Sequence, residues 1–300
     1  MLAIIIPYFK LSFFEETFQS LAVQTDKRFK VYIGDDASPE NPSVVLEKYK
    51  GKFDFVYHRF ETNLGGTSLT KQWDRCIALS EDEEWLMILG DDDYLDSTVV
   101  AFWYANYEIF KDKSNVVRFA TKVVLQELNT ISAIYSHPVW ESASDSFVRI
   151  FKGITRSSLS EYIFSRKAYI KFGFTDYPLA WCSDYKAILE FSDRKPIYTI
   201  NESNVYFRIS DINISGKKGD EFVKAKTNIQ FFKDVVIDKI HFFNKKQRLE
   251  LLMTYEVAIK KSRKLTLNEW HLIIKLYLMN FRFISFAKCM RRFFISILKN

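Results

Sequence analysis

The chain has little of what several special classes of protein require. Nine glycines and six prolines in 300 residues are too few for a collagen-like, low-complexity or linker-rich protein. Cys76, Cys182 and Cys289 are odd in number and widely spaced, which excludes a metal-type cysteine motif and indicates free thiols in a reducing compartment. No run of about twenty apolar residues occurs and no secretory signal precedes the first strand, so we expect neither a membrane span nor export. These absences predict a cytoplasmic protein.

What is present is typical of a folded α/β protein. Hydrophobic residues make up 48% of the chain and charged residues 27%, a balance that suits a globular protein. The net charge of +6 is mild, and we expect no nucleic-acid partner. Lys and Arg are concentrated in the last eighty or so residues, where long amphipathic helices are predicted. The pattern breaks at Gly216-Lys217-Lys218-Gly219, which predicts a boundary there.

The first hundred residues alternate between short apolar runs and segments with helical spacing of apolar residues. This order predicts an α/β fold with parallel strands. The predicted strands are 2–7, 29–33, 53–58 and 85–89, and the predicted helices between them are 14–24, 44–49 and 69–80. Further along, we expect a helix to about residue 110, a strand over 115–128, and two short strands within 197–208.

Three polar motifs follow predicted strands, and the most distinctive is Asp91-Asp92-Asp93. Ligands of such sheets bind outside the carboxyl ends of the strands, so Pro7-Tyr8, Asp35-Asp36 and this trio are expected at one edge. Three adjacent carboxylates suit a divalent cation such as Mg²⁺ or Mn²⁺, with substrate phosphates completing the coordination. The alternative is an acidic, solvated turn.

The order of motifs resembles the family 2 inverting glycosyltransferases of the GT-A fold. The resemblance covers roughly the first two hundred residues and rests on Ile4-Ile5-Ile6-Pro7-Tyr8, Gly34-Asp35-Asp36-Ala37-Ser38, Asn63-Leu64-Gly65-Gly66, Leu89-Gly90-Asp91-Asp92-Asp93 and Trp181-Cys182-Ser183-Asp184-Tyr185. It implies a Rossmann-like, mostly parallel sheet with flanking helices and a helical extension. The implied domains are a catalytic domain at 1–215, with a nucleotide-sugar half at 1–100 and an acceptor half at 101–215, and an extension at 216–300.

The resemblance implies transfer of a sugar from a nucleotide-diphosphate donor, with UDP expected, to a hydroxyl acceptor in surface polysaccharide or glycolipid assembly. Asp36 would pair with uracil, Tyr8 would frame the base, and Lys71 or Arg75 and Arg208 would approach the diphosphate. The implied nucleotide-sugar residues are Pro7, Tyr8, Asp36, Asn63, Gly65, Lys71, Arg75, Asp91, Trp181 and Arg208. The alternatives are a core aromatic for Tyr8, a solvated helix face for Lys71 and Arg75, and a buried position for Trp181.

The catalytic motifs depart from the family pattern at two positions. Gly90 stands where an acid is usual, so the metal is assigned to Asp92 and Asp93, and the choice within the trio stays open. Ser183 replaces the first acid of the pair that contains the base, which leaves Asp184 as the expected general base. Asp176 is the competing acid. A catalytically inactive homologue that only binds a nucleotide-sugar or a partner is the alternative function.

The carboxy-terminal segment combines aromatic and basic residues at helical spacing. Trp270 to Leu298 contains many Phe, Ile and Leu residues, with Lys275, Arg282, Lys288, Arg291 and Arg292 among them. This combination predicts peripheral contact with an anionic membrane. The alternatives are helices packed on the catalytic domain or an oligomer contact.

Overall fold

A computed structural model of the chain describes residues 1–217 and 219–298. Lys218, which belongs to the predicted boundary, lies outside the described residues. The chain forms two compact units, Met1–Lys218 and Gly219–Asn300. Within the described residues, no helix has both the length and the apolar character needed to cross a bilayer.

A single mixed sheet occupies the centre of the first unit. Apolar, β-branched runs such as Leu2–Ile6 are buried on both faces, as expected for inner strands of a sheet covered by helices. The strands of the described part are β1 (Leu2–Tyr8), β2 (Phe29–Asp35), β3 (Asp54–Arg59), β4 (Trp85–Ile88), β5 (Tyr94–Leu95), β6 (Val116–Leu125), β7 (Thr130–Ile131), β8 (Trp140–Glu141), β9 (Tyr162–Ser165) and β10 (Ile197–Ile209).

The helices of this unit bury one apolar stripe each. In the first of them, Phe14, Phe18 and Leu21 recur at helical spacing and are fully buried in the core. The helices of the first unit in the described residues are α1 (Phe14–Ala22), α2 (Ser43–Tyr49), α3 (Leu69–Ile77), α4 (Val99–Phe110), α5 (Ala143–Phe151), α6 (Arg166–Phe172) and α7 (Ser183–Phe191). The strand–helix alternation predicted for the first hundred residues is confirmed.

The strand order determines which chain segments meet at the edge of the sheet. The order is β3-β2-β1-β4-β9-β6-β10-β5, with β7 paired to β6 and β8 paired to β10. β3, β2, β1 and β4 are parallel, so their carboxyl ends lie at the same edge. β9 is antiparallel to both β4 and β6, which makes the second half of the sheet mixed.

The segment predicted as two short strands within 197–208 is one strand, β10, so that prediction is wrong. Its register against β6 shifts between Ile200 and Asn204, which leaves three residues in a bulge. The Asn201 amide fastens this bulge, because its oxygen accepts from the His137 N–H (3.1 Å) and its nitrogen donates to the His137 carbonyl (2.8 Å). The irregular part of this strand is therefore stabilised by a contact distant in sequence.

The second unit is helical in its described part, as predicted for the extension. Capping boxes at Asn244 and Gln247, and at Thr266 and Glu269, start two of its helices. The helices are α8 (Glu221–Asp234), α9 (Lys245–Ser262), α10 (Leu267–Met279) and α11 (Phe283–Leu298).

Candidate active site

The carboxyl ends of β2, β1 and β4 lie side by side. Tyr8 at the end of β1 pairs with Asp35 at the end of β2, and β4 runs parallel on the other side of β1. The Asp91 carboxylate accepts hydrogen bonds from the backbone N–H groups of Phe9 (2.7 Å) and Lys10 (2.8 Å). The polar segments that follow these strands therefore meet at one edge, as the sequence predicted.

The two predicted metal ligands have different environments. Asp93 is buried, and its carboxylate accepts hydrogen bonds from the Ser160 hydroxyl and from the backbone N–H of Arg208 (2.8 Å). Asp92 is only half-buried. The one side-chain donor to its carboxylate among the described residues is the Asn213 amide, at 3.2 Å. Asp92 therefore keeps the most capacity to bind another group.

The electrostatics of this edge favour a bound cation. Burial, and then the charge of Asp92, raises the pKa of Asp91 and of Asp93 above the ordinary aspartate range. No three His, Cys, Asp or Glu side chains of the described residues converge as a metal site. One free carboxylate nevertheless suits Mg²⁺ or Mn²⁺, because these ions commonly take their other ligands from phosphates and water. The residues present thus fit a divalent ion held by Asp92, whereas Asp93 as a second ligand stays a prediction.

Gly90 departs from the family pattern for a reason visible in the packing. A Cβ at this position would lie 2.9 Å from Asp92 Oδ1 and 3.1 Å from Asp93 Oδ2. The Gly90 N–H also donates to the Ser160 hydroxyl at 3.1 Å. Both carboxylates thus fold back over the glycine, so an acidic side chain there would have to displace them.

Asp36 organises the turn that precedes α3. Its carboxylate accepts hydrogen bonds from the backbone N–H groups of Leu64 (2.7 Å) and Gly65 (2.9 Å). It also forms an ion pair with Arg75. A Cβ on Gly65 would lie 2.6 Å from Asp36 Oδ2, so the close approach requires glycine. Asp36 and Gly65, both predicted to bind the nucleotide, are brought into contact.

The remaining predicted residues of this turn and helix differ in what they contact. The Asn63 side chain accepts from the Gly66 N–H at 2.6 Å and so shapes the turn. Arg75 donates to the Thr62 carbonyl at 2.8 Å, and its guanidinium lies over the Phe60 ring. Lys71 is exposed on α3. Arg75 therefore belongs to the Asp36 cluster, whereas Lys71 faces solvent.

Tyr8 and Pro7 lie on β1, at the edge of the core. The Tyr8 ring is fully buried 4.5 Å from the Phe14 ring, and its hydroxyl donates to the Glu40 carbonyl at 2.9 Å. Pro7 is half-exposed and pairs with Gly34. The structure thus gives Tyr8 the core position that the sequence had left as an alternative.

Arg208 connects β10 to the aspartate trio. Its guanidinium pairs with the Glu16 carboxylate and donates to the backbone carbonyl of Asp92 at 3.0 Å. It also donates to the Gln126 side chain and lies 4.1 Å from the Phe13 ring centre. The predicted diphosphate residue is therefore next to the trio, with its donors engaged by the protein.

Asp184 occupies the first turn of α7, where the helix dipole favours a carboxylate. Burial raises the pKa of Asp184 to about 7, although the backbone N–H of Tyr185 partly opposes the shift. No ion pair holds this carboxylate within the described residues. A carboxylate poised near neutral pH has the proton affinity that a general base requires.

The turn before Asp184 is strained. Leu179, Ala180 and Cys182 have φ of 61°, 50° and 68°, a region that costs energy for residues with a Cβ. Trp181, predicted to contact the sugar, is half-buried within this turn. The strain indicates that surrounding packing imposes the conformation that presents Trp181 and Asp184.

Arg156 is a residue of this region that sequence reasoning missed. Its guanidinium donates to Glu161 Oε2 (2.9 Å) and Thr121 Oγ1 (3.1 Å) and lies 4.5 Å from the Phe207 ring centre. Its charge opposes the upward pKa shifts of both Asp93 and Asp184. Ser160 and Asn213 were missed as well, because only folding brings them to the trio.

Two other candidates have different surroundings from Asp184. Asp176, the competing acid, accepts a hydrogen bond from the Thr70 hydroxyl at 2.7 Å. His137 is buried, and desolvation, with a further contribution from Arg118, lowers its pKa to about 3. His137 therefore stays neutral throughout the physiological range, which does not suit a group that must gain and lose a proton near pH 7.

Comparison with known proteins identifies the first third of the chain. Residues 3–107 match the family described as Glycosyl transferase family 2, and this segment contains Asp36 and the Asp91–Asp93 trio. Within residues 3–107, the chain is therefore similar to glycosyl transferase family 2. The predicted family and the predicted class of enzyme, a glycosyltransferase, are thus confirmed. No curated protein matches the chain significantly in sequence.

Solved structures agree on the fold. Residues 1–349 of S. aureus TarS in complex with UDP-GlcNAc are 17% identical, with 92% of this chain and 79% of that chain covered and a TM-score of 0.65. The same TarS segment with UDP gives 17% identity, coverage of 92% and 78%, and a TM-score of 0.62. GalNAc-T7 with UDP, GalNAc and Mn²⁺ is 12% identical, with coverage of 100% and 57% and a TM-score of 0.56. The predicted GT-A fold with a helical extension is confirmed.

Proposed function

We propose that this glycosyltransferase transfers a sugar, with inversion, from a UDP-linked donor to an acceptor hydroxyl in the assembly of a surface polysaccharide or glycolipid. The observation that carries the proposal is the set of environments at the edge of the sheet. The Asp36 and Asp91 carboxylates accept hydrogen bonds from backbone N–H groups, whereas the Asp92 carboxylate keeps the capacity to bind another group. The pKa of Asp184 is raised to about 7, so this carboxylate can accept a proton near neutral pH. The solved structures of S. aureus TarS and GalNAc-T7 with UDP support this choice of nucleotide.

The chemistry of the base follows from the position of Asp184. The ionised carboxylate accepts the proton of the acceptor hydroxyl, whose oxygen forms a bond to the anomeric carbon. The bond from that carbon to the diphosphate oxygen breaks on the opposite face, and the electron pair leaves with the nucleoside diphosphate. A single displacement of this kind inverts the anomeric configuration.

Asp92 is the residue proposed to hold a divalent metal ion. When bound, Mg²⁺ or Mn²⁺ supplies positive charge that stabilises the departing diphosphate. Asp93 and Asp91 fix the backbone around Asp92, because their carboxylates are held by Ser160 and by the loop after β1. Arg208 holds the same segment through the Asp92 carbonyl.

The two departures from the family pattern are accounted for by local packing, which argues against an inactive homologue. A Cβ at position 90 would crowd the carboxylates of Asp92 and Asp93. Ser183 is fully buried, and its hydroxyl accepts from the Tyr177 N–H at 3.4 Å. A larger acid at position 183 would bury a second charge beside Asp184, at a cost in desolvation.

The decisive experiment is a donor screen. We expect the chain to hydrolyse or transfer at least one of several UDP-sugars in Mg²⁺ or Mn²⁺, with little activity in EDTA and none with matched GDP- or CMP-sugars. An anomeric product assignment by NMR then tests inversion. Tight UDP binding without turnover of any donor, across a panel of saccharide acceptors, would favour the inactive homologue.

A further inference from the structure

One side of α11 exposes large apolar residues. Ile284, Phe294, Ile295 and Leu298 are 69%, 55%, 41% and 83% exposed. At about 100° per residue, these four side chains lie within a sector of about 100° on the helix. Exposed apolar side chains gathered on one sector of a helix indicate a partner that buries them.

A cationic groove borders this apolar stripe of α11 within the second unit. The groove encloses about 270 Å³, and its charged lining residues are Lys246, Glu250, Arg282, Lys288 and Arg292. Arg292 is neutralised by two hydrogen bonds to the Glu256 carboxylate, at 2.7 and 2.8 Å. Of the described residues, none forms an ion pair with Lys246, Arg282 or Lys288, and all three are exposed. Glu250 offsets part of the charge of Lys246, Arg282 and Lys288, and the groove as a whole carries a net positive charge.

The stripe and the groove occupy neighbouring sectors of the same helix. Lys288 lies one turn from Ile284 and next to the apolar sector, and Arg292 follows one turn later on the groove side. Arg291 is exposed within the apolar sector itself. Apolar side chains and cations thus alternate around one surface, the arrangement that suits the boundary between acyl chains and headgroups.

We propose that this surface docks on an anionic membrane, with the α11 stripe among the acyl chains and a lipid phosphate in the groove of Lys246, Arg282 and Lys288. Charge complementarity indicates which partner binds this surface. A second copy of the chain docked through the same surface would face its own cations, since a two-fold contact pairs identical patches. In an anionic bilayer, the negative headgroups would contact the cations of the groove, and the acyl chains would contact the apolar side chains of α11. The proposal does not depend on the reaction proposed above.

The test is flotation of the full chain with vesicles of phosphatidylcholine that contain phosphatidylglycerol, compared with vesicles of phosphatidylcholine alone. We expect flotation with the anionic vesicles only, and its loss in high salt. Arg282→Glu with Lys288→Glu should weaken the binding by about 30-fold or more, because each cation near the surface contributes a separate attraction. Ile284→Ser with Phe294→Ser should weaken it as well.

Matched variants distinguish this surface from general effects of charge and hydrophobicity. Lys233→Glu with Lys261→Glu changes charge equally on exposed sites outside the groove, and Phe222→Ser with Leu267→Ser removes apolar side chains that are 80% and 72% exposed. Both controls should float like the parent chain, and circular dichroism should be alike for all variants.

Three results would overturn the proposal. One is a parent chain that does not float. Another is equal loss of flotation in the control and groove variants. The third is a dimer in sedimentation that only the stripe variant dissociates, with flotation unchanged, since a second copy of the chain would then cover the stripe.

Discussion

The two sides of the candidate active site hold their carboxylates in opposite ways. At the carboxyl ends of the parallel strands, Asp36 and Asp91 each accept hydrogen bonds from two backbone N–H groups. In the first turn of α7, Asp184 has no ion-pair partner within the described residues, and desolvation raises its pKa to about 7. Carboxylates bound to amides fix the shape of loops, whereas a desolvated carboxylate without an ion pair retains affinity for a proton. The difference separates groups that build the site from a group that is available for chemistry.

The largest expected effect comes from replacing Asp92, the carboxylate of the trio that keeps the capacity to bind another group. Asp92→Ala should lower transfer by about 10³-fold, because stabilisation of the leaving diphosphate by a metal contributes several kcal/mol. Metal-dependent binding of UDP should be lost as well, as measured by calorimetry with and without Mn²⁺. Asp82→Ala, at an exposed acid of the same half, is the control. Unchanged turnover of Asp92→Ala in saturating Mn²⁺ would refute the assignment.

The next effect tests the role of Asp184. Asp184→Asn preserves shape but cannot accept the proton, so kcat should fall by about 10²-fold or more while the Kd for the donor stays nearly constant. Single-turnover kinetics and donor titration measure the two quantities. Asp176→Asn is the matched variant, and we expect it to retain most of the kcat. If Asp176→Asn instead caused the larger loss of kcat, the roles of the two acids would have to be exchanged.

A smaller effect is expected for the contacts of the nucleotide loop. Asp36→Ala leaves the N–H groups of Leu64 and Gly65 without their acceptor, so UDP binding should weaken by about 1–3 kcal/mol in calorimetry. Asp54→Ala changes an exposed acid at the start of β3 and should bind UDP normally. Affinity of Asp36→Ala equal to that of the parent chain would contradict the uracil role.

The smallest effect concerns stability and needs no substrate. The folded-state pKa of Asp184, about 7, is above its unfolded value, so the folded chain binds an extra proton between about pH 4 and 7. This contribution is fully present below pH 4 and is lost as the pH rises through 7. Relative to Asp184→Asn, the parent chain should lose about 1–2 kcal/mol of unfolding free energy from pH 5 to 8. This loss is below the maximum for one bound proton, which is about 1.4 kcal/mol for each pH unit. A difference in unfolding free energy between the two chains that stays constant from pH 5 to 8, as measured by urea denaturation, would contradict the raised pKa of Asp184.

The first hundred residues could be interpreted from sequence because their signals are local. Apolar runs such as Leu2–Ile6 end in polar motifs, and parallel strands put their carboxyl ends at one edge. The positions of Asp36 and Asp91 follow from that rule. Residues 131–156 offered no such signal, since β7 and β8 have two residues each and β8 pairs with β10, which is distant in sequence. Arg156 could not have been found there by periodicity.

The sequence by itself determined the fold class, the edge of the sheet where the polar motifs meet, and the helical character of the extension. These properties depend on spacing along the chain, which the pattern of apolar and polar residues carries directly. Only the tertiary structure decided which of the three adjacent aspartates is free, because Ser160, Arg208 and Asn213 reach the trio from far along the chain. It likewise placed the Tyr8 ring in the core and gave Asp184 a raised pKa, since burial is a property of packed neighbours and not of any local pattern.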